Sequence, residues 1–433
     1  MERYAEYKDS GIGWIGKMPS GWGLWQTKYL FYIIKDIAGE EGRQVLSVTQ
    51  KGVMPKDISS GEGQLAQDYS NYQVVQVNDY VMNHMDLLTG WVDCSKFAGV
   101  TSPDYRVFRS MNPQNSLKYY LYCFQHCYSA RIYYSMGQGV STLGRWRLQR
   151  EPFMNAPLPL PSLIEQQAIA DYLDEKTAQI DALIVDTEKS IQLLTEYRKS
   201  VISEAVTKGL DPNVPMKDSC IDWIGDIPTH WSIMQLRYLG SARNGLTYNP
   251  DDIVDDGEGT LVLRSSNVQN GKLTFHDNVY VNMPIREDFR VNKGDLLICS
   301  RNGSPELIGK NALINEAAAG SAFGAFMCIF RGVYNDYLYY VLRSNIFSYY
   351  LGTFLTSTIN QLTSRNLNSI AIPFPKTRQE RCAIIVHLEK MCEEIDAAIE
   401  IKQMLIIKLE KYKTSLISEC VTGKIKVPGV DEA

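Results

Sequence analysis

The chain has 433 residues, of which 45% are hydrophobic and 21% charged, an ordinary soluble composition that suits roughly two to four domains. No run approaches the ~18 apolar residues of a membrane span, and the N-terminal sequence MERYAEYKDS lacks the apolar stretch of a secretory signal, so we expect a cytoplasmic protein. The net charge of −5 counts against a simple, stand-alone DNA-binding protein, which usually carries a basic surplus. Nine scattered cysteines, with one close pair at Cys123 and Cys127, predict reduced thiols and no bound metal.

A head segment near the N-terminus recurs in the middle of the chain. Residues 8–30 read KDSGIGWIGKMPSGWGLWQTKYL, and residues 217–239 read KDSCIDWIGDIPTHWSIMQLRYL. The residues that recur are Trp14, Gly16, Pro19, Trp22, Tyr29 and Leu30, which return as Trp223, Gly225, Pro228, Trp231, Tyr238 and Leu239. Two tryptophans at one spacing indicate an internal tandem duplication.

The segments that follow the two heads, residues 31–157 and 240–371, are much less alike. RQVLSVT and YQVVQV predict strands in the first, and LKYYLYCFQHCYSARIYYS predicts a helix. GTLVLRSSNV, GDLLICS and DYLYYVLRSNIFSYYL are similar pieces in the second. Each middle is therefore predicted to be mixed α/β, and we expect the tyrosine clusters to pack in cores rather than to stack on bases.

Each copy ends in a tail that is predicted to form one long helix. Apolar residues recur at alternating spacings of three and four, which is a heptad seam. The first seam is Ala170, Leu173, Thr177, Ile180, Ile184, Thr187, Ile191, Leu194, Arg198, Val201 and Ala205. The second is Ile385, Leu388, Cys392, Ile395, Ile399, Lys402, Ile406, Leu409, Lys413, Leu416 and Cys420.

The charges of the two tails favour pairing them with each other. Residues 163–208 have a net charge of −4 and residues 376–426 a net charge of +2. We expect an antiparallel intramolecular coiled coil, and the alternative is that each helix packs on its own variable domain. The stretch LDPNVPM between the copies reads as a short, stiff linker because it holds two prolines.

Polar side chains suited to DNA contact fall in loops of both middles. Arg, Asn and Gln can make two hydrogen bonds to a base edge, and Ser or Thr can hold phosphates. The candidates are Ser141, Thr142, Arg145, Arg147, Arg264, Ser265, Asn267, Arg301, Asn302, Gln361, Ser364, Arg365 and Asn366. Taken singly, a residue of this kind is more often a surface or turn residue than a base contact, but as groups these are the best candidates in the sequence.

Catalytic motifs are missing from the sequence. An adenine methyltransferase needs Asn/Asp-Pro-Pro-aromatic, and the sequences Asn-Pro-Gln at 112–114 and Asn-Pro-Asp at 249–251 do not fit it. Residues 303–311 lack the spacing and the Ser/Thr of a phosphate-binding loop. We expect no active site and no cofactor in this chain.

A head, a variable domain and a long helix, repeated once, resemble the specificity subunit of type I restriction–modification enzymes. The W-I-G-x-x-P-x-x-W head, the Pro-x-Pro run that leads to Glu165 or Glu380, and the Tyr…Ile-Ser-Glu…Val-Thr end also resemble that family, across nearly the whole chain. The second copy departs from it conservatively, with Gln-Glu-Arg at 379–381 where Glu-Gln is usual.

The resemblance implies a division of labour between domains and partners. Two target-recognition domains would each read one half of a bipartite DNA site, while the helices set the gap and dock two methyltransferase (modification) subunits. Restriction/translocase subunits would join them, and S-adenosylmethionine, ATP and Mg would be used by those partners alone. A fused methyltransferase and a coiled-coil scaffold without base reading are the competing hypotheses.

The implied domain boundaries follow the duplication. They are residues 1–160 and 217–374 for the target-recognition domains, 161–209 and 375–425 for the long helices, 210–216 for the linker, and 426–433 for the tail.

Overall fold

The computed structural model describes residues 2–59, 66–139, 146–355 and 360–430. The chain forms two compact units, of which unit 1 comprises residues 1–187 and 404–433 and unit 2 comprises residues 188–403. Each unit thus joins one head and one middle to parts of both tail helices.

Unit 1 is a mixed α/β body built on a four-stranded antiparallel sheet. Its strands are β1 (Tyr7–Asp9), β2 (Lys17–Pro19), β3 (Gly23–Gln26), β4 (Phe31–Ile34), β5 (Leu46–Thr49), β6 (Gly52–Pro55), β7 (Gln73–Val75), β8 (Tyr80–Met82), β9 (Val92–Cys94), β10 (Gly99–Thr101), β11 (Arg106–Ser110) and β12 (Pro157–Leu160). Its helices are α1 (Thr27–Leu30), α2 (Leu117–Ser129), α3 (Ile132–Ser135), α4 (Arg150–Asn155) and the first part of α5 (Leu163–Lys208). The main sheet has the order β4-β11-β8-β9, and β3 pairs with β12 beside it.

Unit 2 repeats that plan and adds a second sheet. Its strands are β13 (Met216–Asp218), β14 (Asp226–Pro228), β15 (Ser232–Gln235), β16 (Ser241–Asn244), β17 (Ile253–Val254), β18 (Thr260–Leu263), β19 (Val268–Gln269), β20 (Lys272–Leu273), β21 (Tyr280–Val281), β22 (Leu296–Cys299), β23 (Asn311–Leu313), β24 (Ala322–Phe323), β25 (Met327–Arg331) and β26 (Ala371–Phe374). Its helices are the last part of α5, α6 (Asn335–Val341), α7 (Asn345–Phe354), α8 (Ser364–Ser369) and the first part of α9 (Arg378–Val421), whose last part belongs to unit 1. The order β16-β25-β22-β23 matches the main sheet of unit 1, and β17-β21-β18-β24 is the additional sheet.

The predicted mixed α/β fold is confirmed, and the tyrosine clusters are core residues. Tyr119, Tyr120 and Tyr133 are buried in unit 1, as is Tyr337 in unit 2. The single helix predicted over residues 117–135 is instead two helices, because Arg131 takes a left-handed conformation with a φ of 57° between them.

An ion pair between a buried aspartate and a partly exposed arginine recurs at the same place in the two main sheets. In unit 1 Arg109 Nε lies 2.6 Å from Asp79 Oδ1, and in unit 2 Arg331 Nε lies 2.9 Å from Asp295 Oδ2. Each carboxylate also accepts a backbone N–H of the preceding turn at 2.8 Å. A buried carboxylate is costly unless it is paired and hydrogen-bonded, so this aspartate of each middle serves the scaffold.

The two long helices pack against each other in antiparallel fashion, which confirms the predicted coiled coil. In unit 1 Lys413 Nζ lies 2.7 Å from both carboxylate oxygens of Asp181, and in unit 2 Arg198 pairs with Asp396. Early α5 therefore lies beside late α9 in one unit, and late α5 beside early α9 in the other. The seam positions are buried or half-buried along both helices.

In each unit the head contacts the start of one long helix, and a tyrosine of the middle contacts the end of the other. Trp22 Nε1 donates to Glu165 Oε1 at 3.1 Å, and Trp231 Nε1 donates to Glu380 Oε1 at 2.8 Å. The Tyr119 hydroxyl in unit 1 donates to the Val421 carbonyl at 3.3 Å, where α9 ends. Unit 1 is thus completed by the last residues of the second copy.

The far end of α5 plays the matching part in unit 2. The Tyr337 hydroxyl donates to the Val206 carbonyl at 3.4 Å.

Among the residues that the structure describes, no helix is long and apolar enough to cross a membrane.

Candidate nucleic-acid interface

Three of the predicted loop groups of unit 2 meet at one end of its main sheet. Asn302 Nδ2 donates to Ser265 Oγ at 3.4 Å, which joins the loop after β22 to the loop after β18. Arg301 forms an isolated β-bridge with Gln361. The loops converge because β16 and β22 both run antiparallel to β25, so that their carboxyl ends lie at the same edge.

The loop before α8 reaches the same edge. Ser364 Oγ donates to Asn244 Oδ1 at 3.2 Å, at the end of β16. The N–H of Asn366 donates to Thr363 Oγ1 at 3.1 Å and so caps the helix, while the Asn366 side chain is half-buried.

A cleft of about 410 Å³ opens at this edge, between the loops that follow β16 and β18 and the loop that enters β25. Its lining includes Thr247, Tyr248, Arg264, Ser265, Asp277 and Phe326. The sequence did not single out Phe326, whose ring is exposed at the rim with the Arg301 guanidinium 5.3 Å from its centroid. The Phe326 carbonyl accepts the N–H groups of Ser300 and Arg301 at 2.9 and 3.0 Å, so the backbone under the ring is fixed.

The predicted residues of unit 2 differ in how free they are to meet a ligand. Arg301 and Arg365 are exposed, and neither forms an ion pair within the described residues. Arg264 is held by Asp277 at 2.9 Å. Asn267 is fully buried and donates to the Thr274 carbonyl at 3.0 Å, so its amide stabilises a turn and is not presented to a ligand.

Unit 1 has a cleft of about 370 Å³ beside the equivalent loop, the one that enters β11 as its counterpart enters β25. Its lining includes Lys56, Asn83, Asp86, Ser102, Asp104 and Tyr105. None of these residues was a candidate from the sequence. The available signal was the aspartate that comes just before the equivalent strands β8 and β22, since Asn83 follows β8 directly and Asp86 lies three residues further on.

Of the four candidates that the sequence placed at residues 141–147, the structure describes Arg147. Ser141, Thr142 and Arg145 lie outside the described residues. Arg147 is exposed, and its backbone N–H and carbonyl each pair with Gln138 at 2.9 Å. Burial, together with the positive charges of Arg106 and Arg147, lowers the pKa of nearby His84 to about 4, which keeps that imidazole neutral at pH 7.

The described part of the chain presents hydrogen-bonding groups and no metal centre. No group of three or more His, Cys, Asp or Glu side chains within it could hold a metal ion. The cysteines are free thiols, and burial raises the pKa of Cys127 to about 12, which disfavours the nucleophilic thiolate. The two clefts offer donors and acceptors suited to polar base edges.

Comparison with known proteins gives a family for this arrangement. The family model described as "Type I restriction modification DNA specificity domain" matches residues 47–192 and 228–411. The chain is 24% identical over 376 residues to the type I restriction enzyme MjaVIII specificity subunit of Methanocaldococcus jannaschii, with 84% of each chain covered. It is 23% identical over 445 residues to the putative MjaX specificity subunit of the same organism, with 95% and 96% covered.

A solved structure shares the fold. It comes from work on complex assembly and conformational transition of the type I R-M system, and it matches with a TM-score of 0.71 and 14% identity over 94% of this chain and 99% of the other.

Proposed function

Since this chain belongs to the family of type I restriction–modification specificity subunits, we propose that each unit reads one half of a bipartite DNA site. The observation that carries the proposal is that equivalent sheets hold clefts at equivalent ends with different linings. A shared frame with unlike clefts suits the reading of two unlike half-sites.

Base reading in unit 2 rests on Arg301 and Arg365. Both are exposed: the Arg301 guanidinium lies over the Phe326 ring at the rim of the cleft, and Arg365 follows Ser364, which bonds to Asn244 at the end of β16. An arginine can donate two hydrogen bonds to O6 and N7 of guanine. Ser265, Asn302, Gln361 and Ser364 border the same edge and would hold phosphates or further base edges. In unit 1 the polar lining of the cleft, together with the segment 140–147, would read the other half.

The helices would set the gap between the half-sites and help to dock the partner subunits. A helix of 46 residues is roughly 70 Å long at 1.5 Å per residue and is stiffened by its pairing. Met404, Leu405 and Ile407 of α9 are exposed in unit 1, as are Leu193 and Tyr197 of α5 in unit 2. Exposed apolar residues on a paired helix are typical of a surface that a partner covers.

The partners in this proposal are two methyltransferase subunits and the restriction/translocase subunits. S-adenosylmethionine would serve adenine methylation in the methyltransferase subunit, where the target base is flipped, and ATP and Mg would serve the translocase. This chain would hold none of the three.

The test is methylation in a cell. The chain is expressed with its methyltransferase subunit in a host that lacks adenine methylation, and methylated adenines are mapped by sequencing. We expect a motif of two short blocks separated by a fixed run of unspecified bases. Methylation that follows a single uninterrupted motif would contradict the proposal. So would a methylated motif that stays the same whatever is changed in this chain.

A further inference from the structure

Most residues that recur between the two heads are explained by packing, but one pair is not. Trp22 and Trp231 are buried and fix the helix starts. Tyr29 and Tyr238, at the same place in the repeat, are 58% and 66% exposed. Core packing gives no reason for an exposed tyrosine to recur.

The two tyrosines recur together with a cation. Lys28 Nζ lies 5.2 Å from the centroid of the Tyr29 ring, and the Arg237 guanidinium lies 5.0 Å from that of Tyr238. Arg237 has no ion pair within the described residues, and Lys28 bonds to a neutral amide. Each unit therefore presents an aromatic ring beside a positive charge that no carboxylate of the described residues neutralises.

An apolar side chain extends the surface at the end of the neighbouring strand. Met111 is 52% exposed, and its N–H donates to the Leu30 carbonyl at 2.8 Å. At the equivalent position of unit 2, Val333 is 86% exposed, directly after Gly332, which lies against the Leu239 carbonyl. We name these surfaces the basic–aromatic faces: Lys28, Tyr29 and Met111 in unit 1, and Arg237, Tyr238 and Val333 in unit 2.

Each basic–aromatic face lies at the end of the main sheet away from the cleft. In unit 2 the face adjoins Ser241, where β16 begins opposite Arg331, whereas the cleft lies beyond Asn244, where β16 ends opposite Cys328. Four residues of strand span roughly 10 Å. A DNA segment held in the cleft is therefore at the other end of the sheet from the face.

We propose that the two basic–aromatic faces bind two copies of one protein, the methyltransferase subunit, through an acidic side chain that pairs with the cation and an apolar side chain that packs on the tyrosine. The clefts differ because the half-sites differ, and the faces agree because their occupants are identical. Replacement of Lys by Arg and of Met by Val between the copies preserves that chemistry. The inference rests on the proposed function.

The experiment changes one face and counts the bound subunits. Arg237→Glu is combined with Tyr238→Ala in the full chain, which is co-expressed with the methyltransferase subunit, and the mass of the complex is measured in solution without DNA. We expect two subunits per wild-type chain, one per variant chain, and a dissociation constant for the second subunit raised about tenfold or more. Ile253→Ala, an exposed apolar change in the second sheet of unit 2, is the control and should retain two.

The possible results separate the inference from the function on which it rests. A variant that still binds two subunits with unchanged affinity overturns the inference. So does a variant that keeps both subunits but binds DNA more weakly when DNA is added, because the face would then contact DNA. A wild-type chain that binds fewer than two subunits overturns the proposed function as well. Unchanged melting of the variant establishes that a lost subunit reflects a lost surface.

Discussion

Two arginines of unit 2 stand apart from the charged residues around them. Arg264 is neutralised by Asp277, whereas Arg301 and Arg365 have no carboxylate partner within the described residues. A paired arginine must give up its carboxylate before it binds a base, while an unpaired one gives up only water. The free cations are therefore the residues on which base discrimination should depend.

We predict that Arg301→Ala or Arg365→Ala weakens specific DNA binding of the assembled complex by about 1–3 kcal/mol and relaxes one position of the second half-site. Binding is measured against a library that varies each base. Arg286→Ala, which removes an exposed arginine that is paired with Asp288, is the control. An equal loss of affinity for every DNA sequence would identify a phosphate contact. Unchanged affinity would show that the loop that carries the arginine does not contact DNA.

A buried histidine makes the stability of unit 1 sensitive to acid. His126 is buried, and burial together with the charge of Lys424 lowers its pKa to about 4, against ~6.5 in an unfolded chain. Between these values the unfolded state binds more protons than the folded state. Stability is thus fully present above pH ~6.5 and is lost as the pH falls toward 4.

We expect the melting temperature to fall between pH 7 and pH 5, and His126→Gln to reduce that fall. Ser418→Ala removes a hydroxyl 3.4 Å from the imidazole but retains the histidine, so its melting temperature should fall with pH as steeply as that of the wild type. Equal slopes for all three proteins would show that other groups govern the acid response.

At the scale of the helices, the heptad seam could be predicted from sequence because its spacing is local. Buried residues such as Leu173 and Leu388 lie where the spacing predicted. Which helix end closes which unit could not be predicted. The contact between Tyr119 and Val421 joins residues 302 positions apart, and nothing in either local sequence specifies the other.

The candidate site likewise contains residues that could be predicted from the sequence and residues that could not. The loops of unit 2 were identified because polar residues follow recognisable strands. Phe326 was missed because an exposed phenylalanine and a buried one look alike in sequence, and Asn267 was included because a turn-forming amide resembles a free one. The split between α2 and α3 was missed because Arg131 adopts a positive φ that its residue type does not suggest.

We predict that lengthening both helices by one heptad, after Leu194 and Leu409, widens the preferred gap by about three base pairs. Seven residues preserve the seam and add about 10 Å, and DNA rises ~3.4 Å per base pair. The added base pairs also rotate one half-site by roughly a third of a turn, so binding is measured on a library of gaps instead of one site. Tight binding that still prefers the original gap would show that the helices do not set it.

At the scale of the whole molecule, the shared frame predicts that the DNA-reading middle of a unit, which we call its reader, can be exchanged for that of another subunit. The first middle, residues 31–157, runs from after β3 to the first residue of β12, and β3 and β12 pair with each other in register. Replacing them by the equivalent segment of another specificity subunit should change one block of the methylated motif and leave the other block and the gap unchanged. Change in both blocks would mean that the readers are coupled, and methylated-adenine mapping distinguishes the two cases.

Because unit 1 is built from two separate stretches of the chain, it cannot be completed until the end of the chain has been synthesised. Unit 2 is a continuous stretch, whereas unit 1 needs residues 404–433 as well as the first 187. At ~5–20 residues per second, the ribosome takes about 20–80 s to reach Met404, and until then the first reader lacks the end of α9 against which Tyr119 packs. We therefore expect a stop codon after residue 403 to damage the reader encoded first and to spare the one encoded second. Limited proteolysis of the nascent and truncated chains, with cuts appearing in residues 1–160 and not in residues 217–374, is the measurement.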